Sequence, residues 1–147
     1  MNMEFCAKKF DELSVDELYE ILRARSTVFI KGQGITCVDE DGVDRESLHC
    51  FFWEDGAVAA YLRAYRDSKD ADAAHIGRVL AVRQRGGLGT QLMERSIPAI
   101  RNNISCTRIK ADVQKHAVPF YEKLGFKVVS DEYPEEGIMH VDMEIRL

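Results

Sequence analysis

Near the middle of the chain the sequence reads Gln84-Arg85-Gly86-Gly87-Leu88-Gly89-Thr90, and the order of elements unfolds from it in both directions. Upstream lies His75-Ile76-Gly77-Arg78-Val79-Leu80-Ala81-Val82, apolar and β-branched enough for a buried strand. Downstream, Leu92, Met93, Ile97 and Ile100 recur at helical spacing. Small residues at a strand-to-helix junction let the backbone approach an oxygen-rich group closely. The free N–H groups of the first helical turn then point at that group, and the helix dipole favours negative charge there. This is chemistry for a phosphate or pyrophosphate. It is not a Walker loop, because no Gly-Lys-Ser/Thr follows, and Gly-x-Gly-x-x-Gly does not occur. On spacing alone, a turn kept small only for packing is the other reading.

Working towards the N-terminus, residues 67–72 form a polar break. Residues 49–53, the pair Asp55-Gly56 and residues 58–65 read as a β-hairpin, since Asp-Gly favours the positive φ of a tight turn. Residues 31–47 read as a polar loop with acids at 39, 40, 41, 44 and 46. Before it, Ser14-x-x-Glu17 makes a capping box, and Leu18, Ile21, Leu22, Arg25 and Phe29 continue at helical spacing. Towards the C-terminus, Pro98 should kink or end its helix. A strand over 107–113, a short helix over 117–123 stopped by Gly125, and strands over 126–130 and 140–145 follow. The sequence therefore predicts an α/β (α+β) fold: a mixed, mostly antiparallel central sheet flanked by helices. With no repeat and no Pro/Gly/Ser linker, residues 1–147 read as a single domain.

Composition narrows the functions. The chain is 46% hydrophobic and 31% charged, with a net charge of -5, which argues against a nucleic-acid partner. No stretch approaches the roughly 18 apolar residues of a membrane span, and Met1 to Lys9 lacks a signal-peptide core, so a cytoplasmic location is expected. Cys6, Cys37, Cys50 and Cys106 are scattered, which suggests reduced, structural thiols and no zinc site. Asp39-x-Asp41-Gly42 lacks the frame and closing Glu of a calcium loop.

The run Gln84-x-x-Gly87-x-Gly89, between a strand and a helix, resembles the acyl-CoA pyrophosphate loop of the GNAT superfamily of N-acetyltransferases. Farther on, Gln114-x-x-Ala117-x-x-Phe120-Tyr121-Glu122-x-x-Gly125-Phe126 resembles the second signature of that superfamily. Within it the chain looks most similar to the ElaA-like group. The resemblance rests on Leu22-x-x-Arg25-x-x-Val28-Phe29, Asp39-x-Asp41-Gly42-x-Asp44, His49, Ile76-Gly77-Arg78-Val79 and Glu135-Glu136-Gly137-Ile138-x-His140, and covers nearly the whole chain.

That resemblance implies an acyl donor, acetyl-CoA, and an amine acceptor. The strand ending at Val82 would splay from strand 107–113, with the pantetheine arm in the opening. The backbone of Leu80 and Val82, with Ala81 between them, would pair with the arm. The amides of Arg85, Gly86, Gly87, Leu88, Gly89 and Thr90 would hold the pyrophosphate, and Arg85 would add a charge-assisted contact. Gln114 and Ala117 would complete the cofactor site, although many members carry Asn where this chain has Gln114. Tyr121 would be the general acid that protonates or stabilises the leaving CoA thiolate. A phenol, with its ordinary pKa near 10, stays protonated at neutral pH. From periodicity alone Tyr121 reads first as a partly buried aromatic beside Phe120, and the match to the second signature reverses that preference.

The general base and the acceptor stay open at this level. His49, His75 and His140 titrate in the useful range. Asp112 or Glu122 could act through a water, and His116 suits a cap or surface role. His49, His140 and Arg78 are the candidate acceptor-binding residues. A permanent charge at Arg78, inside an apolar strand, must be paired or face a cavity. It could orient an acidic or phosphorylated acceptor, or pair with Asp112. The acidic loop at 39–46 is by default solvated, with a lip that attracts a cationic amine as its functional reading. Small residues such as Ala81 and Ala111 leave the acyl length open. A non-catalytic acyl-CoA sensor or scaffold is the competing reading. A homodimer could form through an exposed edge strand such as the last one.

Overall fold

The computed structural model describes residues 3–34, 38–82 and 86–147. Among these residues, eight strands form one sheet: β1 (Met3–Lys9), β2 (Leu48–Glu54), β3 (Ala57–Arg66), β4 (Ala73–Ala81), β5 (Arg108–Gln114), β6 (Lys127–Val128), β7 (Tyr133–Glu135) and β8 (Ile138–Arg146). Their spatial order is β1-β2-β3-β4-β5-β8-β6, with β7 also on β8. Every pairing is antiparallel except β4 with β5. That one parallel step is what a strand–helix–strand crossover produces, here through α2 (Leu88–Asn103).

Local sequence explains most of these elements. The Ser14 hydroxyl accepts the Glu17 N–H, and Glu17 accepts the Ser14 N–H, closing the capping box of α1 (Val15–Arg25). The helix runs on into a wide π turn over Ser26–Gly32, which carries Phe29 and Ile30 and ends just past the expected loop start at residue 31. Asp55 and Gly56 both take positive φ, as the hairpin turn requires. The third helix, α3 (Val118–Lys123), ends at Gly125, where φ is 101°.

Two expectations need correction, and one strand lay outside them. Pro98 does not itself end α2, which continues to Asn103, since the missing N–H removes one helical bond from a helix otherwise held by packing. The last strand is not an edge: β8 pairs with β5 on one side and with β6 and β7 on the other, leaving β1 and β6 at the margins. The edge strand β1 did not stand out because Met3–Lys9 ends in charge and offers only a short alternation.

Alternation along the strands gives the sheet two unlike faces. Beneath α2 and α3, Leu62, Ile76, Ile109, Val113 and Met143 join Leu92, Met93, Ile100 and Phe126 in the main core. On the other face, α1 buries Ile21 and Ala24 against Cys6, Phe51, Tyr61 and Leu80. The rest of that second face is polar, and the site lies there.

Candidate active site

The parallel ladder between β4 and β5 is short. It runs from Ala73 opposite Arg108 to Ile76 opposite Ala111, and there the strands part although each continues. Just beyond the parting, the register of β4 on β3 slips between Tyr61 and Arg63, and Arg78 takes a φ of 53°. An extra residue in one strand of an antiparallel pair bends it and increases its twist, which turns β4 away from β5. A cleft of about 440 Å³ opens at the gap, reaching from the polar face through to α3.

Tyr121, on α3, lines this cleft while only 7% exposed. Its ring stands edge-on to Phe120 and Phe126, and burial pushes the phenol up to about 12. Among the described residues, no hydrogen-bond partner reaches its hydroxyl. Gln114 and Ala117 line the same cleft, and the Gln114 amide donates to Gln33 Oε1 at 3.2 Å.

At the start of α2, Gly87 is the N-cap, with φ 81°, and the Gln91 N–H returns to its carbonyl at 2.9 Å. The N–H groups of Leu88, Gly89 and Thr90 form the first turn, which has no intrahelical acceptors. A side chain added at Gly86 or Gly87 would meet nothing within 4 Å, so the turn is open at both positions. Gly89 instead packs towards Phe120, whose ring carbons lie 3.5 Å from where a Cβ would be. Leu88 turns its side chain into the main core. Gln84 and Arg85 lie outside the described residues.

The expected pairing through Leu80 and Val82 is corrected by the register. The Val82 N–H is donated to Ala59 O at 2.9 Å, so Ala81 and Ala60 are a non-hydrogen-bonded pair. The main chain of Ala81, between the two, therefore faces away from β3 towards the opening. Leu80 is in the second core, and the Val82 side chain lines a separate cleft of about 340 Å³ under α1.

Arg78 lines the cleft but does not pair with Asp112. Its Nε donates to Asp39 Oδ1 at 2.9 Å and its Nη2 to Asp39 O at 3.1 Å. Arg25, fully buried on α1, donates to Asp44 at 2.7 Å and to Asp39 O at 3.1 Å. Arg63 grips both Asp41 oxygens, at 2.8 and 2.6 Å, and reaches Asp44 at 3.0 Å. The acidic loop is thus not a solvated lip, because its aspartates neutralise three arginines from α1, β3 and β4. Burial alone would raise the Asp44 carboxyl, but Arg25 and Arg63 outweigh it and hold that group below its ordinary value. Asp41 is held well below the usual carboxylate range, chiefly by the Arg63 hydrogen bonds.

His49 belongs to this network and not to the cleft. Fully buried, it donates from Nε2 to Asp44 O at 2.9 Å and accepts the Tyr61 hydroxyl at Nδ1, 2.7 Å away. Burial lowers its pKa, which keeps the ring neutral. Both nitrogens are used, so it offers an acceptor nothing.

The opposite end of the cleft carries the remaining titratable groups. His140 lines it, with Nδ1 donating to Ile138 O at 2.8 Å and Nε2 3.6 Å from Glu135. His75, stacked on Tyr65, places its nitrogens 3.5 Å from Asp67 and 3.6 Å from Asp112. Asp112 sits directly opposite Asp142 across β5 and β8, and the Tyr133 hydroxyl donates to Asp142 at 2.6 Å. Burial, with Asp142 alongside, raises the Asp112 carboxyl. Tyr65, Tyr133 and Asp142 did not stand out in the sequence, because only strand register brings them to this place.

Residues 28–147 match the model of a family described as an acetyltransferase (GNAT) domain. The chain is 32% identical over 136 residues to the protein ElaA of Escherichia coli, spanning 90% of this chain and 89% of that protein. It superposes on the crystal structure of that ElaA with a TM-score of 0.90, at 30% identity, over 98% of this chain and 99% of the other. An acyl-CoA N-acyltransferase from Pseudomonas aeruginosa gives the same TM-score, 0.90, at 31% identity and the same coverage, 98% and 99%. An aminoglycoside 6'-N-acetyltransferase complexed with coenzyme A shares the fold, with a TM-score of 0.74 at 12% identity over 96% of each chain.

Proposed function

This chain belongs to the GNAT acetyltransferase family, and from that premise we propose that it moves an acetyl group from acetyl-CoA to a primary amine of a small molecule or peptide. The observation that carries the reading is the parting of β4 from β5 with Tyr121 at the inner end of the gap. Main-chain groups suit a donor whose carrier portion never varies. The Ala81 N–H and C=O face the opening and can pair with an amide-bearing arm as a further strand would. The amides of Gly86, Gly87, Leu88, Gly89 and Thr90 suit a pyrophosphate at the helix start, with Gln114 and Ala117 along the arm.

A bound thioester supplies an activated acyl carbon and a sulfur leaving group. The amine lone pair forms the new C–N bond, the C–S bond breaks, and the sulfur takes the electron pair. Tyr121 then gives its proton to that sulfur and regains one from the acylated nitrogen, directly or through water. A phenol raised to about 12 is fully protonated at neutral pH, so it is always ready to donate. The exchange succeeds because the positively charged nitrogen of the addition intermediate is far more acidic than the phenol.

Calorimetric titration with acetyl-CoA, and separately with CoA, tests the donor. Micromolar binding of either, lost in Gly87→Glu at an unchanged fold, is the expected result. A well-folded protein that binds neither would overturn the reading.

A further inference from the structure

The two ends of the cleft differ in charge. At one end Arg63 and Arg78 are already engaged by Asp39, Asp41 and Asp44. At the other, Asp112, Glu135 and Glu136 line the wall and Asp142 stands behind Asp112, while the arginines of the lining, Arg63 and Arg78, are the ones already held by the loop aspartates. Asp112 and Asp142 form a non-hydrogen-bonded cross-strand pair, because the Asp142 N–H is donated to Ser130 and its carbonyl accepts the Val129 N–H. Such pairs bring side chains closest, and like charges placed there repel. The groups facing Asp112 are His75 from β4, Tyr65 and Arg63 from β3, Tyr133 and Glu135 from β7, and Asp142 and His140 from β8.

A second, independent feature points into the same space: Tyr121, only 7% exposed, lines the cleft with no hydrogen-bond partner for its hydroxyl among the described residues. We infer that the acceptor is an organic dication, a primary amine with a second cationic group, held at Asp112 and at Glu135 and Glu136. This rests on the acyltransferase reading of the site. Its reacting ammonium transfers one proton to the Asp112 carboxylate, which leaves a neutral amine whose lone pair attacks the thioester. The nitrogen then loses a second proton to the sulfur by way of Tyr121, and Asp112 returns its proton to solvent past His75. Asp142, held by Tyr133, is a positioning residue: its charge opposite Asp112 makes the shared proton welcome. The second cation stays charged and offsets the rim glutamates.

The test is calorimetric titration of the CoA-loaded protein, which cannot turn over, with 1,4-diaminobutane and with butylamine, a monocation of the same chain length. The diamine is expected to bind about tenfold more tightly than butylamine. Asp112→Asn should weaken the diamine by about tenfold while acetyl-CoA affinity is kept, and Glu136→Gln should weaken it less. Asp142→Asn should lower the pH at which Asp112 titrates, read by carboxyl NMR, without removing diamine binding. Equal binding of the two amines, or diamine binding indifferent to Asp112→Asn, overturns the inference. Absence of acetyl-CoA binding would show the donor reading to be wrong by itself, since the diamine titration of the protein alone still reads the carboxylates.

Discussion

Beneath α2 and α3 the sheet presents Leu62, Ile76, Val113 and Met143, whereas their neighbours along the same strands, Arg63, His75, Asp112 and Asp142, present polar and charged groups to the other side. The first face is held by apolar area removed from water, a sum of many small and nearly independent contributions. The second is held by arginines and aspartates that are acceptable inside only because each is partnered. One face therefore fixes the fold and tolerates conditions, while the other ties stability to pH and keeps polar groups beside a cleft.

The sharpest way to break this contrast is Arg25→Met. It leaves Asp39 and Asp44 short of a partner in a buried setting, which should cost about 3–5 kcal/mol in urea unfolding. Adding Asp44→Asn to that variant should recover part of the loss, as coupled neighbours do. A loss under about 1 kcal/mol would place the network among ordinary surface ion pairs. On the apolar face, Leu92→Ala should cost about 2–5 kcal/mol by opening a cavity. That cost should be the same at pH 5 and pH 8, and a strong pH dependence would join the two faces that the comparison separates. At the gap between them, Tyr121→Phe should lower turnover about 100-fold at the same acetyl-CoA affinity, measured in an amine-acetylation assay. Unchanged turnover would remove its acid role.

A smaller effect belongs to His49. Its folded-state pKa is depressed by burial, so the unfolded chain takes up the proton first as pH falls below about 6.5. Stability should decline from that pH downward, and His49→Gln should flatten the decline in urea midpoints between pH 7 and pH 5. Asp41 and Asp44, held low by their arginines, contribute stability present above about pH 4 and lost at more acid pH. Smallest is Ser14→Ala, about 1 kcal/mol, for the cap of α1.

What the sequence disclosed follows the same division. Elements governed by neighbours along the chain were legible: the Ser14 and Glu17 capping box, the Asp55-Gly56 turn and the helix that begins after Gly87. The apolar face was legible as well, through periodicity. The charged face was not, because Arg25 meets Asp44 and Arg63 meets Asp41 across long stretches of chain that only folding brings together. No local pattern announces that Arg78 sits in a bulge, that Asp112 faces Asp142, or that the Val82 amide is spent on Ala59. The resemblance to a known family named the acidic loop, His49 and Arg78 without giving their partners.

The short parallel ladder has a mechanical consequence. Between β4 and β5 the sheet is continuous over only four residue pairs, from Ala73 with Arg108 to Ile76 with Ala111. The protein is thus two half-sheets, β1 to β4 and β5 to β8, joined at one end like the covers of a book and spanned by α2 along the back. A ligand lying in the open end bridges both covers and sets the angle between them. Amide exchange in Val79, Ala81, Asp112 and Gln114 should slow together when the gap is filled, as a single hinge motion is stilled.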